Sequence, residues 1–390
     1  MMNEMFGISV KCLPHTEELL VKELAALGVQ ELEPARRIVH GLCDMTTMQR
    51  VCYCSRLALR VLVPLETFSL RKVDDLYKKC LAMEWDNWML LDQTFAIDSM
   101  VRSDFFNHTH FASLKMKDAI ADYFRNQYEK RPSVDAENPD VLFHLHIDEN
   151  QVTISLDAGG RSLNQRGYRM GSGDAPLNEV LAASLIQFAG YTGDQPFVDP
   201  MCGSGTLVIE AAMLASDTPA QFNRPTFQFM KWPTFKEEGW LQLKATEDAK
   251  IKTPASIIMA SDFDDNAMGW TKKNSRKASV IDYIQMQRAD FFDMERPADH
   301  GILMMNPPYG ERLSIENVEA FYQKIGSAFK HQWGGWKAWV FSGSMEGVKT
   351  IGLKPMKKSK WLNAKIDCSF HGFELFSGDR KSFKTQAAVK

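Results

Sequence analysis

No apolar run in this 390-residue sequence reaches the roughly 18 residues that a membrane span requires. The opening residues, MMNEMFGISVKCLPHTEE, lack a basic segment, an apolar core and a small-residue cleavage site, so no secretory leader is expected. Cysteine is sparse and odd in number, 7 in all, and Cys52 and Cys54 do not have zinc-knuckle spacing. Reduced, mostly buried thiols in a cytoplasmic protein are expected, with no metal. No internal repeat or low-complexity segment is present. A strong overall charge is also missing: the formal −3 does not advertise a general affinity for nucleic acid.

The charge is unevenly spread. Lys330 to Lys390 holds 12 Lys and Arg against 4 Asp and Glu. This basic run includes Lys354, Lys357, Lys358 and Lys360, and it reads either as a solvated face or as a phosphate-tracking surface.

Two amphipathic helices are expected in the N-terminal part. HTEELLVKELAALG repeats apolar residues at helical spacing and stops at Gly28, and FASLKMKDAIADYFRNQYEK follows the same pattern. VLFHLHI and QVTISLD alternate with period two around DEN, the pattern of a β-hairpin. His144 and His146 share a strand face there. With no third ligand in sight, that face is expected to be exposed and not to bind metal.

After the Gly- and Arg-rich stretch AGGRSLNQRGYRMGSGDAP, helices alternate with short apolar strands. The helix LNEVLAASLIQFAG is expected to bury one face, formed by Leu177, Val180, Leu181, Leu185 and Phe188. The strands FVD, SIIMASD, YIQMQRAD, ILMMN and KAWVFSG each end in a polar or small residue. Such alternation implies a mostly parallel sheet covered on both sides, with its ligand at the carboxyl ends of the strands.

Four of those strand ends carry chemistry. The first is DPMCGSGT, Asp199, Pro200, Met201, Cys202, Gly203, Ser204, Gly205 and Thr206. It joins a strand to a helix through glycines that admit a close ligand, and the helix start favours a carboxylate. The second is Asp262, which ends a strand and is placed for ribose hydroxyls. The third is Asp290 with Phe291, placed for an adenine amino group and its ring. The fourth is NPPY, Asn306, Pro307, Pro308 and Tyr309, where two prolines force the chain out of the sheet.

Such a corner can grip a planar amino group. The Asn306 side-chain oxygen and the Pro307 carbonyl would accept its hydrogens while Tyr309 stacks on the ring. A dinucleotide oxidoreductase fits poorly, because the third glycine is absent and Asp262 lies beyond a long insert. The corner has no role in hydride transfer.

The motifs DPMCGSGTLVIEAA, NPPYGERL, NQRGYRMGSGDAPLNEVLAASLI and FNRPTFQFMKW together resemble the bacterial 23S rRNA guanine-N2 methyltransferases of the RlmL type, over nearly the whole chain. The resemblance implies an α/β, Rossmann-like class I methyltransferase domain with a mostly parallel seven-stranded sheet. It implies α+β ferredoxin-like and THUMP RNA-binding domains before it. The expected limits are 1–44 for the ferredoxin-like region, 45–157 for THUMP, 158–176 for a linker and 177–390 for the methyltransferase.

It also implies S-adenosyl-L-methionine at Asp199 to Thr206, Asp262, Phe263, Asp290, Phe291 and Asn306, and the target amino group at Asn306 to Tyr309. The implied partner is 23S ribosomal RNA, free or within a pre-ribosomal particle. Arg166, Tyr168, Arg169, Arg312, Lys357, Lys358 and Lys360 are candidates for touching it. Some family members carry a second fused methyltransferase. This chain is too short for one, so a single methylation is expected. The corner itself does not choose among guanine, adenine and cytosine. Guanine methylation of tRNA, or an idle RNA-binding assembly factor, remain alternatives.

Overall fold

The computed structural model describes residues 4–106, 108–172, 176–308 and 317–376. These form two compact units, Met1–Leu163 with Arg224–Thr246, and Asn164–Asn223 with Glu247–Lys390.

The first unit opens with β1 (Phe6–Lys11), α1 (Glu17–Leu27), β2 (Gln30–Ala35), β3 (Ile38–Cys43), α2 (Met45–Cys54) and β4 (Arg60–Ser69). Gly28 ends α1 at φ 101°, a left-handed cap that glycine adopts without strain. α3 (Asp74–Leu81), β5 (Phe95–Arg102), α4 (Thr109–Tyr128), β6 (Val141–Asp148) and β7 (Gln151–Asp157) follow. All seven strands join one sheet in the order β2-β3-β1-β4-β7-β6-β5, in which only β5 and β6 pair in parallel. β4 pairs with β1 on one side and β7 on the other. The expected limit at residue 44 therefore falls inside a βαββαβ arrangement.

His144 is a second correction. It is buried, not exposed, and its Nε2 lies 2.8 Å from Lys11 Nζ. Burial, reinforced by the Lys11 charge, pushes its pKa down to about 3, so the ring is neutral. The seven cysteines are all free, and six are buried.

The second unit carries α5 (Glu179–Phe188), β8 (Phe197–Asp199) and α6 (Thr206–Ala215). Beyond Asn223 the chain crosses back, and α7 (Glu237–Asp248) begins within the first unit. The span 177–390 is thus not one uninterrupted unit. The second unit resumes with β9 (Ile258–Asp262), α8 (Asp265–Lys277), β10 (Gln285–Arg288), β11 (Gly301–Met305), α9 (Val318–His331), β12 (Trp336–Ser342), α10 (Met345–Lys349), β13 (Lys357–Asn363) and β14 (Ile366–Glu374).

Its sheet order is β10-β9-β8-β11-β12-β14-β13, parallel throughout except that β14 runs antiparallel to both neighbours. Strand order reverses between β8 and β11, so Asp199, the last residue of β8, and Asn306, just after β11, sit at the ends of adjacent strands at the switch point. Val198, Leu303, Met305 and Val340 pack there with Tyr322, Ile325 and Phe329 of α9. Each fully buried side chain contributes roughly 1.5–3 kcal/mol, which fixes the strand ends firmly. α5 is buried from Glu179 to Ile186 on every side, not on one face.

Candidate functional site

The carboxyl ends of β8, β9 and β11, with the segment after β10, surround a cavity of about 680 Å³. Asp199 to Ser204, Thr206, Asp262, Phe263, Asp290, Phe291 and Asn306 to Pro308 all line it. Gly205 does not. Tyr309 and Arg312 lie outside the described residues.

The two glycines of the turn do different jobs. A Cβ added at Gly203 (φ +55°) would meet nothing within 4 Å, so that side of the backbone is left clear for a ligand. At Gly205 (φ +85°) it would stand 2.9 Å from the Thr271 side chain, so this glycine serves close helix packing. Asp262 clamps the turn: its Oδ2 accepts from Gly203 N–H at 2.9 Å, and its Oδ1 from Asp264 N–H at 3.1 Å. A carboxylate has about four acceptor positions, so this leaves room for ribose hydroxyls.

Asp199 is almost wholly buried, with one long bond, 3.4 Å, from Met201 N–H. Burial raises its carboxyl well above the usual range, and the nearby Asp262 adds to the shift. Burial also raises Asp262. The Cys202 thiol is pushed up by burial and stays protonated, so it is no nucleophile. Two desolvated carboxyls beside a cleared backbone suit a cationic ligand with hydroxyls.

Asn306 completes the site. Among the described residues its Oδ1 is buried with no hydrogen-bond partner. Leaving such an acceptor empty costs about 1–3 kcal/mol, a cost that a ligand donor would remove. Asp290 Oδ1 caps its own turn by accepting from Phe292 N–H at 3.1 Å.

Phe291 corrects an expectation. It is 1% exposed and stacks on Trp333, with ring centroids 6.0 Å apart. Phe263, 69% exposed, offers its ring to the cavity instead, and Trp270, Phe292 and Phe321 also line it.

The RGYRMG stretch is corrected too. Arg166 and Tyr168 are each 1% exposed and meet the buried Glu210 of α6, so they cannot reach RNA. Arg169 forks onto Glu179 at 2.7 Å and also reaches Ser204 Oγ at 3.3 Å and Thr206 Oγ1 at 3.4 Å. It braces the glycine turn. Lys357, Lys358 and Lys360 are exposed on β13 and do not line the cavity, and the Lys357 ammonium lies 3.6 Å from the Phe188 ring centre.

Sequence reasoning missed Thr271 and Asn274. Thr271 Oγ1 donates to Gly203 O at 2.9 Å. Asn274 Nδ2 donates to Ser204 O and Gly171 O, both at 2.9 Å, while its Oδ1 accepts from Met170 N–H at 2.8 Å. The available signal was two polar residues three apart on a helix, here both fully buried.

A sheet of this order, with a glycine turn after its central strand and an Asn-Pro-Pro corner after the next, defines a class I methyltransferase. More particularly, the chain belongs to the RMKL-like methyltransferase family. That domain matches residues 166–371, preceded by a THUMP domain at 71–157 and an RlmL ferredoxin-like domain at 8–62.

A Synechocystis protein named as an RNA methyltransferase is 36% identical over 363 residues, 92% of this chain and 94% of the relative. Ribosomal RNA large subunit methyltransferase K/L of Syntrophotalea carbinolica is 37% identical over 373 residues, 92% of this chain and 52% of that protein. The chain therefore spans about half the length of the K/L relatives it matches. The crystal structure of a protein from Clostridium difficile 630, described as a methylase, superposes with a TM-score of 0.87 at 26% identity, over 97% of this chain and all of that one. A structure described as a methyltransferase complexed with SAH gives 0.85 at 25% identity, over 97% and 100%.

Proposed function

We propose that this protein transfers a methyl group from S-adenosylmethionine to the exocyclic 2-amino group of a guanine in 23S ribosomal RNA. It acts in the cytoplasm, on RNA that is free or in a pre-ribosomal particle. Three things support the reading: the family, the names of the K/L relatives, and above all the unfilled Asn306 oxygen at the switch point.

The bound donor supplies an electrophilic methyl on a sulfonium. Asp199 and Asp262 would hold its cationic and hydroxyl-bearing parts, and the Gly203 backbone would let it lie close. A base amino nitrogen is a poor nucleophile because its lone pair is delocalised into the ring. Asn306 Oδ1 and the Pro307 carbonyl would accept its two hydrogens, aim the lone pair and stabilise the charge that develops. Holding the reacting atoms in line is worth on the order of 7–11 kcal/mol. A paired target must first be flipped out of its helix.

Tritiated-methyl transfer to ribosomal RNA and to tRNA, both from a strain lacking the protein, tests the substrate. N2-methylguanosine in ribosomal RNA is the expected product. Label found only in tRNA, or in neither RNA, would overturn the assignment. Asn306→Ala should keep donor affinity and be at least as stable as wild type, yet lose about 2.7–4 kcal/mol of barrier lowering, roughly 100- to 1,000-fold in turnover. Near-wild-type turnover at saturating RNA would remove Asn306 from the chemistry.

A further inference from the structure

We propose that the tip of the β13–β14 hairpin is a contact surface for the RNA strand beside the target nucleotide. This rests on the RNA substrate proposed above and assigns it a second point of attachment.

Strand register places the tip. Met305 is level with Val340, Val340 with His371 and His371 with Lys358. Asn306, one residue further, is therefore level with Ser359. From there β13 continues to Asn363 before β14 returns from Ile366. Four residues thus project past Asn306 on the ligand side, roughly 13 Å at 3.3 Å per residue. β12 and β14 lie between β11 and β13, so the tip stands three strand spacings away, roughly 14 Å. Together the two offsets separate the tip from Asn306 by roughly 19 Å, which about six stacked nucleotides span at a rise of 3.4 Å each.

The chemistry of the tip fits a phosphate chain. Lys360 and Lys365 are exposed, and neither pairs with a carboxylate among the described residues. Asp367 is the one acid between Lys357 and Glu374. Leu362 and Ile366, 46% and 44% exposed, offer apolar contact beside the two cations. Lysines on an edge strand also discourage pairing with other chains, which accounts for Lys358 and contributes at Lys360. Lys365 lies in the turn, where no strand could add, so edge protection does not explain it.

The test uses the full chain and ribosomal RNA. Lys360→Glu with Lys365→Glu reverses the tip. Lys337→Glu with Lys354→Glu applies the same change at the second residue of β12 and just before β13, toward the amino ends of the parallel strands. The tip variant should raise KM for RNA at least fivefold and flatten the log–log salt dependence by roughly 1.4–1.8 for two lost contacts. Its donor affinity and its turnover at saturating RNA should stay unchanged, and the matched variant should change none of these. Wild-type KM and salt slope in the tip variant, or an equal effect from the matched variant, would overturn the surface. Absence of any RNA methylation by the wild-type protein would instead overturn the RNA substrate, and this surface with it.

Discussion

Asp199 is held where its charge is least welcome. Its folded-state pKa lies above the unfolded value because burial disfavours the carboxylate. Between those two values the folded state binds more protons, so stability falls as pH rises through the window and stays lower above it. A group that destabilises the unliganded protein at neutral pH makes sense as a ligand for a cation. Asp199→Asn, without donor, should therefore gain on the order of 1 kcal/mol at neutral pH. The gain should vanish once the wild-type carboxyl is protonated at acid pH. The same variant should lose most of its S-adenosylmethionine affinity. Thermal melts across pH, with and without donor, check both halves. An Asn variant less stable than wild type at every pH would make Asp199 a structural acceptor instead.

At the scale of elements, α8 sets the glycine turn. Thr271 takes the Gly203 carbonyl and Asn274 the Ser204 carbonyl. Because a trans peptide points its N–H opposite its C=O, the Ser204 N–H is turned away from Thr271. Asn274 also ties Met170 and Gly171 to the same turn, with Gly171 directly under the Trp270 ring. Asn274→Asp keeps the acceptor for Met170 but sets a carboxylate against two carbonyl oxygens. With about 1–3 kcal/mol at stake per buried group left unsatisfied, donor KM should rise tenfold or more. Turnover at saturation should change little, and Asn274→Ala should be the milder of the two. Unchanged donor affinity in a folded Asp variant would rule out the clamp. This clamp was illegible in the sequence because its partners are backbone carbonyls on remote loops. The ends of β8 and β11 were legible because short apolar runs lead into them, as MMN follows Ile302 and Leu303, whereas Asp290 follows the polar strand QMQR and was legible only as an acid beside an aromatic pair. The β13–β14 hairpin was not: lysines and Ser359 in one strand, with Ser369, His371 and Gly372 in the other, hide the alternation, and the run read only as basic. The Phe291 ring, though the residue lines the cavity, and Arg166 were misassigned for a related reason. An aromatic or a guanidinium beside a site motif looks functional in sequence, and only packing shows that it is core.

At the scale of the whole molecule, the chain passes between the two units three times, near residues 163, 223 and 246. The segment Arg224–Thr246 carries Phe227, Phe229 and Trp240, each less than a tenth exposed. They pack within the first unit, with the Trp240 ring 5.4 Å from Tyr53 and Phe227 6.5 Å from it. Arg224 adds a hydrogen bond to Gly159 O at 2.9 Å. A fragment that begins after the expected linker, 177–390, keeps these aromatics and removes the surface that buries them. It also removes Arg166, Tyr168 and Arg169, leaving Glu210 of α6 without its buried cation, a loss of several kcal/mol in comparable pairs. Such a fragment should bind a hydrophobic dye, aggregate and fail to take up S-adenosylmethionine, although it contains the glycine turn, Asp262 and Asn306. A fragment starting at residue 164 with Phe227, Phe229 and Trp240 changed to polar residues should regain solubility and donor binding, because it restores the partner of Glu210 and removes the exposed patch. It should still methylate ribosomal RNA poorly if RNA is captured through the THUMP domain, which this fragment lacks. Dye binding, light scattering and calorimetry on the two fragments separate these effects. A monomeric 177–390 fragment with full donor affinity would show that the second unit folds without the rest of the chain.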